Sequence, residues 1–188
     1  MRKFEINKMD KDTYKALAAC VSDEKYRVNM NAIRWSGTAF FATNGRRLIK
    51  VVPLVDTLGE EPGWFTMEGK FLLEDDTNRF GDAPNYERVI MGDEHLEELS
   101  PLHGFDGASS KGKDCILFAQ ACIYKDSLFN PNAIENIGSA CKKWTRIGQI
   151  ESSTAIRLDG ESYGTKVTFI AMPLTLSFDE PRFTKASK

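Results

Sequence analysis

Apolar residues in this chain recur with two different periods, and the points where the period changes divide it into elements. Phe4-Glu5-Ile6 alternates as a short strand does. Beyond Asp10, a candidate N-cap, Tyr14, Leu17, Ala18 and Val21 recur at helical spacing, and Met9 and Tyr14 stand at the positions of a hydrophobic staple. Residues 26–35 then read as a strand, Ser36-Gly37 as a tight turn, 38–43 as the returning partner and 48–53 as a further strand. Between the last two lies Thr43-Asn44-Gly45-Arg46-Arg47, where Asn-Gly makes positive φ inexpensive and leaves two arginines at the rim of a sheet. The first 54 residues therefore predict a βαβββ unit with one sheet face available for burial under the helix.

Past Pro53 the pattern loosens. Trp64-Phe65-Thr66-Met67 and Lys70-Phe71-Leu72-Leu73 predict a hairpin around Glu68-Gly69, ended by the acidic run Glu74-Asp75-Asp76. Such a run suits a solvated turn better than a magnesium site, because no other group with that chemistry lies near it. Pro84 forces extended backbone before it, so 84–90 reads as an edge strand, and 92–114 as a polar connector whose 104–112 stretch is a disordered loop. Residues 115–124 are apolar and strand-like. Asn130-Pro131 then supplies a cap and a first-turn proline for a second helix running to about Arg146, with Ile134, Ile137, Cys141 and Trp144 on one side and Lys142, Lys143 and Arg146 on another. Residues 154–158 and 162–172 read as a hairpin around Asp159-Gly160. The second half thus repeats the first, which gives one α+β module over 1–176, with halves 1–54 and 115–176, an inserted acidic piece at 55–114 and a flexible tail at 177–188.

Composition narrows the classes. With 188 residues and 41% hydrophobic content the chain can bury one substantial core. No run approaches the roughly 18–20 apolar residues of a membrane span, and the N-terminal residues lack a signal-peptide apolar region. The expectation is a cytoplasmic protein with no membrane partner. Cys20, Cys115, Cys122 and Cys141 are widely separated among apolar neighbours and read as buried thiols; His95 and His103 have no metal-ligand spacing, and no cofactor is implied. The net charge of −2 conceals an asymmetry, because residues 56–106 carry 14 acidic and 3 basic side chains, a net of −11, which leaves +9 for the remainder. That distribution suits either a phosphate-facing basic surface or ordinary solvated faces.

Four short segments in order resemble the bacterial DNA polymerase sliding clamp family. Arg27-Val28-Asn29-Met30-Asn31-Ala32 is similar to its Arg-x-x-Leu-Asn-Gly strand, and Phe41-Ala42-Thr43-Asn44-Gly45-Arg46-Arg47-Leu48 to its Ala-Thr-Asp-Gly-His-Arg-Leu turn. Pro84-Asn85-Tyr86-Glu87-Arg88-Val89 resembles its Pro-Asp-Tyr-x-Arg-Val segment, and Met172-Pro173-Leu174 its C-terminal Met-Pro ending. The resemblance implies βαβββ halves, with helices lining a ring around duplex DNA and sheets outside. Lys8, Lys11, Lys15, Lys142, Lys143 and Arg146 would then face the DNA backbone without reading sequence.

It also implies a pocket that receives short apolar peptides from replication and repair proteins. Its members here would be Met30, Thr43, Gly45, Arg46, Arg47 and Leu48 from the first half, Pro84, Arg88 and Val89 from the middle, and Met172, Pro173 and Leu174 from the end. Arg46 stands where the family has histidine and adds charge at the rim. The family carries three modules per chain and this chain has length for about one plus an insertion, so a ring would need homo-oligomerisation. The resulting expectation is a non-enzymatic, clamp-like replication accessory factor, with a peptide-binding adaptor from a phage or mobile element as the alternative. A phosphate loop and a nucleophile–base pair are both missing from the sequence.

Overall fold

The structure is a computed structural model that describes residues 1–5, 11–54, 58–98, 141, 143–151 and 154–173. The expected strand at 115–124, the loop at 104–112, the start of the second helix, Met9, Asp10 and the tail lie outside the described residues.

Among the described residues ten antiparallel strands form one sheet. In chain order they are β1 (Lys3–Glu5), β2 (Ile33–Trp35), β3 (Phe40–Thr43), β4 (Arg47–Val52), β5 (Gly63–Glu68), β6 (Phe71–Asp75), β7 (Leu96–Glu98), β8 (Lys143–Gly148), β9 (Ile156–Ser162) and β10 (Thr165–Ala171). Their order across the sheet is β1-β6-β5-β2-β3-β4-β10-β9-β8-β7. The hairpin β5–β6, expected as part of an inserted piece, is integral to the sheet: β5 pairs with β2 and β6 with β1. Arg2 fastens that edge, since its guanidinium meets the Glu74 carboxylate at 2.5 Å and the Leu58 carbonyl at 3.1 Å. The two halves of the chain pair through β4 and β10, with Leu48 opposite Ile170 and Arg47 opposite Ala171.

The helix α1 (Lys11–Cys20) lies across β3 and β4 and buries Thr13, Ala16, Leu17 and Cys20. Of the expected stripe only Leu17 is fully buried, with Tyr14 and Val21 packed partly against the core and Ala18 half-buried, so the helix is rotated from the face its spacing predicts. Beneath it runs the main core, in which Phe40 meets Trp35 at 4.7 Å and Phe4 edge-on at 5.2 Å. Alternate residues of the same strands face the other way. Ala39, Phe41, Leu48 and Ile170 form a second cluster with Tyr86. β3 is therefore buried on both faces, which is why Phe40-Phe41-Ala42-Thr43 lacks the polar alternation of a half-exposed strand.

That second face is covered by residues 78–95, which carry no long regular element. Phe80 packs on Trp64, whose indole N–H donates to the Gly81 carbonyl at 3.1 Å, and Tyr86 stacks on Phe41 at 5.0 Å with rings 12° apart. Lys50 pairs with Glu87 at 2.9 Å. Further along, Arg157 holds the segment by an ion pair to Asp93 at 2.8 Å and a hydrogen bond to the Met91 carbonyl at 2.5 Å.

Several expectations are corrected. The stretch 26–35 is strand only from Ile33; Val28–Met30 is a 3-10 turn. Glu87–Val89 is likewise a 3-10 turn rather than an edge strand, because Tyr86 drops onto Phe41 and the Val89 N–H closes onto the Tyr86 carbonyl at 3.2 Å. The connector contributes β7. Lys143–Gly148 is the strand β8 and not the end of a helix. The last hairpin turns at Tyr163-Gly164, both at positive φ (+50° and +81°), four residues beyond the expected Asp159-Gly160.

Candidate functional site

At the β4–β10 seam the second face leaves an apolar recess of about 160 Å³. Its floor is Leu48 and Ile170, opposite one another in the sheet register. One wall is the β3–β4 turn, contributing Thr43, Gly45 and Arg47, with Met30 beside it. The other wall is the 84–89 stretch, contributing Pro84, Asn85, Tyr86 and Val89, and Met172 closes the end.

The turn is shaped by its own polar groups. The Thr43 hydroxyl donates to the Arg47 carbonyl at 2.7 Å and accepts the Gly45 N–H at 3.1 Å. The Asn44 side-chain oxygen accepts from the N–H groups of Arg46 at 3.0 Å and Arg47 at 3.1 Å. Gly45 sits at φ +82°, a conformation that selects glycine, and the end of the flexible Arg27 side chain lies against it. The Met172 N–H donates to the Arg46 carbonyl at 2.9 Å, tying the end of β10 to this turn.

Eight residues named from the sequence line the recess: Met30, Thr43, Gly45, Arg47, Leu48, Pro84, Val89 and Met172. Arg46, Arg88 and Pro173 border it in sequence without lining it, and Leu174 lies outside the described residues. Arg47 differs from expectation in one respect, because its guanidinium donates to the Ala19 carbonyl in the last turn of α1. Arg46 and Arg88, next to lining residues in sequence, are exposed and have no ion-pair partner among the described residues, while Arg27, paired with Glu24 at 3.2 Å, brings its guanidinium against Gly45. Val89 and Met172 are 48% and 45% exposed, so the rim is apolar as well as basic.

Sequence reasoning missed three lining residues. Ile170 is hidden in an ordinary strand alternation. Asn85 and Tyr86 lay inside a quoted segment, and a lone aromatic in a Gly/Pro-rich polar stretch is the signal that marks Tyr86 as an anchor. Its hydroxyl is buried with no hydrogen-bond partner among the described residues, and burial pushes its pKa up, so it stays a neutral phenol. A buried ionic cluster was also missed. Arg157 grips Asp159 through two hydrogen bonds of 3.0 and 2.7 Å, Arg146 adds a third contact to Asp159 at 2.9 Å, and the Thr168 hydroxyl donates to it at 2.8 Å.

The expected DNA-facing residues do not share one surface type. Lys11 and Lys15 are exposed on α1, Lys15 facing Asp12 at 3.6 Å. Lys143 and Arg146 lie on β8, and Arg146 is held by Asp159 and by Asp93 at 3.5 Å, which corrects the reading that placed them on a helix. Lys8 and Lys142 are outside the described residues. The acidic run has structural partners: Glu74 is bound by Arg2, and Asp75 by Thr77 and Arg79. Among the described residues no group of three or more His, Cys, Asp and Glu side chains converges as a metal site, and no helix is long and apolar enough to cross a membrane.

Fold and seam together define a clamp-like α+β protein. Over 93% of its length the chain is similar to DNA polymerase III β subunit from Thermotoga maritima, with a TM-score of 0.55, 12% identity and 66% of that chain covered. Comparable similarity holds to the β subunit from Borrelia burgdorferi in complex with a natural product (TM-score 0.56, 12% identity, 94% of this chain and 64% of that one). The β chain from Streptococcus pneumoniae gives a TM-score of 0.54 at 13% identity, over 93% of this chain and 64% of that one. The chain therefore spans just under two thirds of the clamps it matches and is smaller than a full clamp. No family model and no curated protein matches it by sequence.

Proposed function

We propose that this protein is a non-enzymatic, clamp-like replication accessory factor that docks short apolar peptides of replication or repair proteins in the recess between β4 and β10. The observation that carries the reading is the convergence of three sequence-distant segments, 30–48, 84–89 and 170–172, on one apolar recess. Leucine and methionine give it an adaptable lining, backbone groups of the turn offer hydrogen bonds, and Arg46 and Arg88 favour an acidic flank. In this reading the two halves are variants of one βαβββ plan, and duplex DNA runs past the α1 face, held by Lys11 and Lys15 through the phosphate backbone. A closed ring would require several copies of the chain.

A second reading, an adaptor that binds such peptides without encircling DNA, is favoured by the engagement of Arg146 in the ionic cluster, which removes a cation from any DNA face. Two measurements separate the readings. Solution mass by light scattering, with and without duplex DNA, should show a DNA-stabilised oligomer for the accessory factor. Affinity for a fluorescent peptide carrying leucine and phenylalanine anchors should be present in both; its absence removes both.

A further inference from the structure

The chain leaves the described structure at the lip of the recess. Met172 lines it, the Met172 N–H is fixed to the Arg46 carbonyl, and Pro173 is the last described residue. The sequence that follows is Leu174-Thr175-Leu176-Ser177-Phe178-Asp179-Glu180. In extended backbone Leu174, Leu176 and Phe178 fall on one side, and two carboxylates come directly after the aromatic ring. We propose that this segment is an internal ligand of the recess, with Phe178 seated against Leu48 and Ile170 and with Asp179 and Glu180 facing Arg46 and Arg88. It thereby competes with peptides from partner proteins. This inference rests on the peptide-pocket reading.

Three physical matches support it. An apolar cavity of about 150 Å³ is known to accept a benzene ring, and the recess measures about 160 Å³ with a floor of leucine and isoleucine. Phe178 stands six residues beyond Met172, a contour of roughly 20 Å at 3.3–3.6 Å per residue, ample for the segment to turn back over a recess that begins at Met172 itself. Charge is complementary as well: Arg46 and Arg88, exposed and without ion-pair partners among the described residues, adjoin lining residues in sequence, the Arg27 guanidinium lies against Gly45, and the segment offers two adjacent carboxylates immediately after its aromatic. Tethering sets the segment's effective concentration on the order of millimolar, so even a weak intrinsic contact competes with partners.

The test uses the full chain with labelled methionine ε-methyl groups, because Met30 and Met172 line the recess and a seated aromatic ring displaces their NMR resonances. Both resonances should differ between wild type and Phe178→Ala, by an amount independent of protein concentration. A synthetic peptide spanning 174–180 should restore the wild-type positions in that variant. A partner-type peptide should bind Phe178→Ala about threefold or more tightly than wild type, as expected for release of a tethered competitor. Asp179→Lys with Glu180→Lys, which leaves the ring in place, should give a smaller resonance difference and less competition. Identical resonances in wild type and Phe178→Ala, or a difference that grows with concentration as a second copy would cause, overturns the proposal. If the synthetic peptide still moves Met30 and Met172 in that case, the pocket reading stands and only the internal ligand falls; if nothing moves them, both fall.

Discussion

The two faces of the central sheet are built by different means. Under α1 the face is closed by helical and strand periodicity acting together, and its core runs unbroken from Phe4 and Leu72 to Trp144. Among the described residues the opposite face is covered by an irregular segment, residues 78–95, pinned at separate points by Phe80 on Trp64, Tyr86 on Phe41, Lys50 to Glu87 and Asp93 to Arg157. A helix laid along a sheet fills the surface it covers, whereas a segment held at points leaves gaps between them. The recess is one such gap, which explains why the site lies on this face and is walled by 3-10 turns rather than long elements.

Substitutions should separate the faces by size of effect. Phe40→Ala removes a ring that touches Phe4, Trp35 and Phe65, and should cost about 3–5 kcal/mol in urea unfolding. On the other face Asp159→Asn leaves Arg157 and Arg146 without their shared carboxylate and should cost about 3 kcal/mol, while a paired Arg157→Met, Asp159→Leu replacement should recover much of that loss. If Asp159→Asn is instead harmless, the ionic cluster does not hold residues 91–93 to the sheet. Tyr86→Phe keeps the stack and discards a buried hydroxyl without a partner among the described residues, so stability should change by less than about 1 kcal/mol.

Acid should act at the sheet edge before it acts on either core. Hydrogen bonds from Arg2 hold the Glu74 carboxyl below its usual range. A depressed folded pKa means the contribution is complete above the unfolded value of about 4.3 and is lost as pH falls through the folded value. Amide protection on β1, taken relative to the intrinsic exchange rate at each pH, should therefore fall on acidification, and Glu74→Gln should show that lower protection at neutral pH. The smallest effect concerns Cys20. Burial pushes its thiol up to about 12, so it should stay unmodified by a thiol reagent at pH 8 until the chain unfolds.

The features legible in the sequence were those set by local chemistry. Asn44-Gly45 fixed the β3–β4 turn, the Tyr14 and Leu17 spacing fixed α1, and Glu68-Gly69 fixed the β5–β6 hairpin. Misreadings arose where tertiary contacts override local pattern. A register irregularity between Trp144 and Arg146 sets the buried residues Trp144 and Ile147 three apart, a spacing that imitates a helix on paper. Asp159-Gly160 resembles a hairpin turn, yet Asp159 is a buried carboxylate in a strand, made tolerable by Arg157 two residues before it on the same strand and by Arg146 and Thr168 on the flanking strands. The recess was legible through the family resemblance of its segments. Its two-sided construction was not, because Tyr86 finds Phe41 only when the chain has folded.

Whether the recess takes an apolar peptide can be tested directly at Val89. It lines the recess yet is 48% exposed, so Val89→Asp places a charge in the wall with little cost to folding, whereas a change at buried Leu48 would disturb the second cluster. Fluorescence anisotropy of a labelled leucine- and phenylalanine-containing peptide should show affinity reduced about tenfold or more in Val89→Asp at unchanged thermal stability, as desolvating a carboxylate in place of an apolar lining side chain requires. Equal affinity for wild type and Val89→Asp would contradict the account.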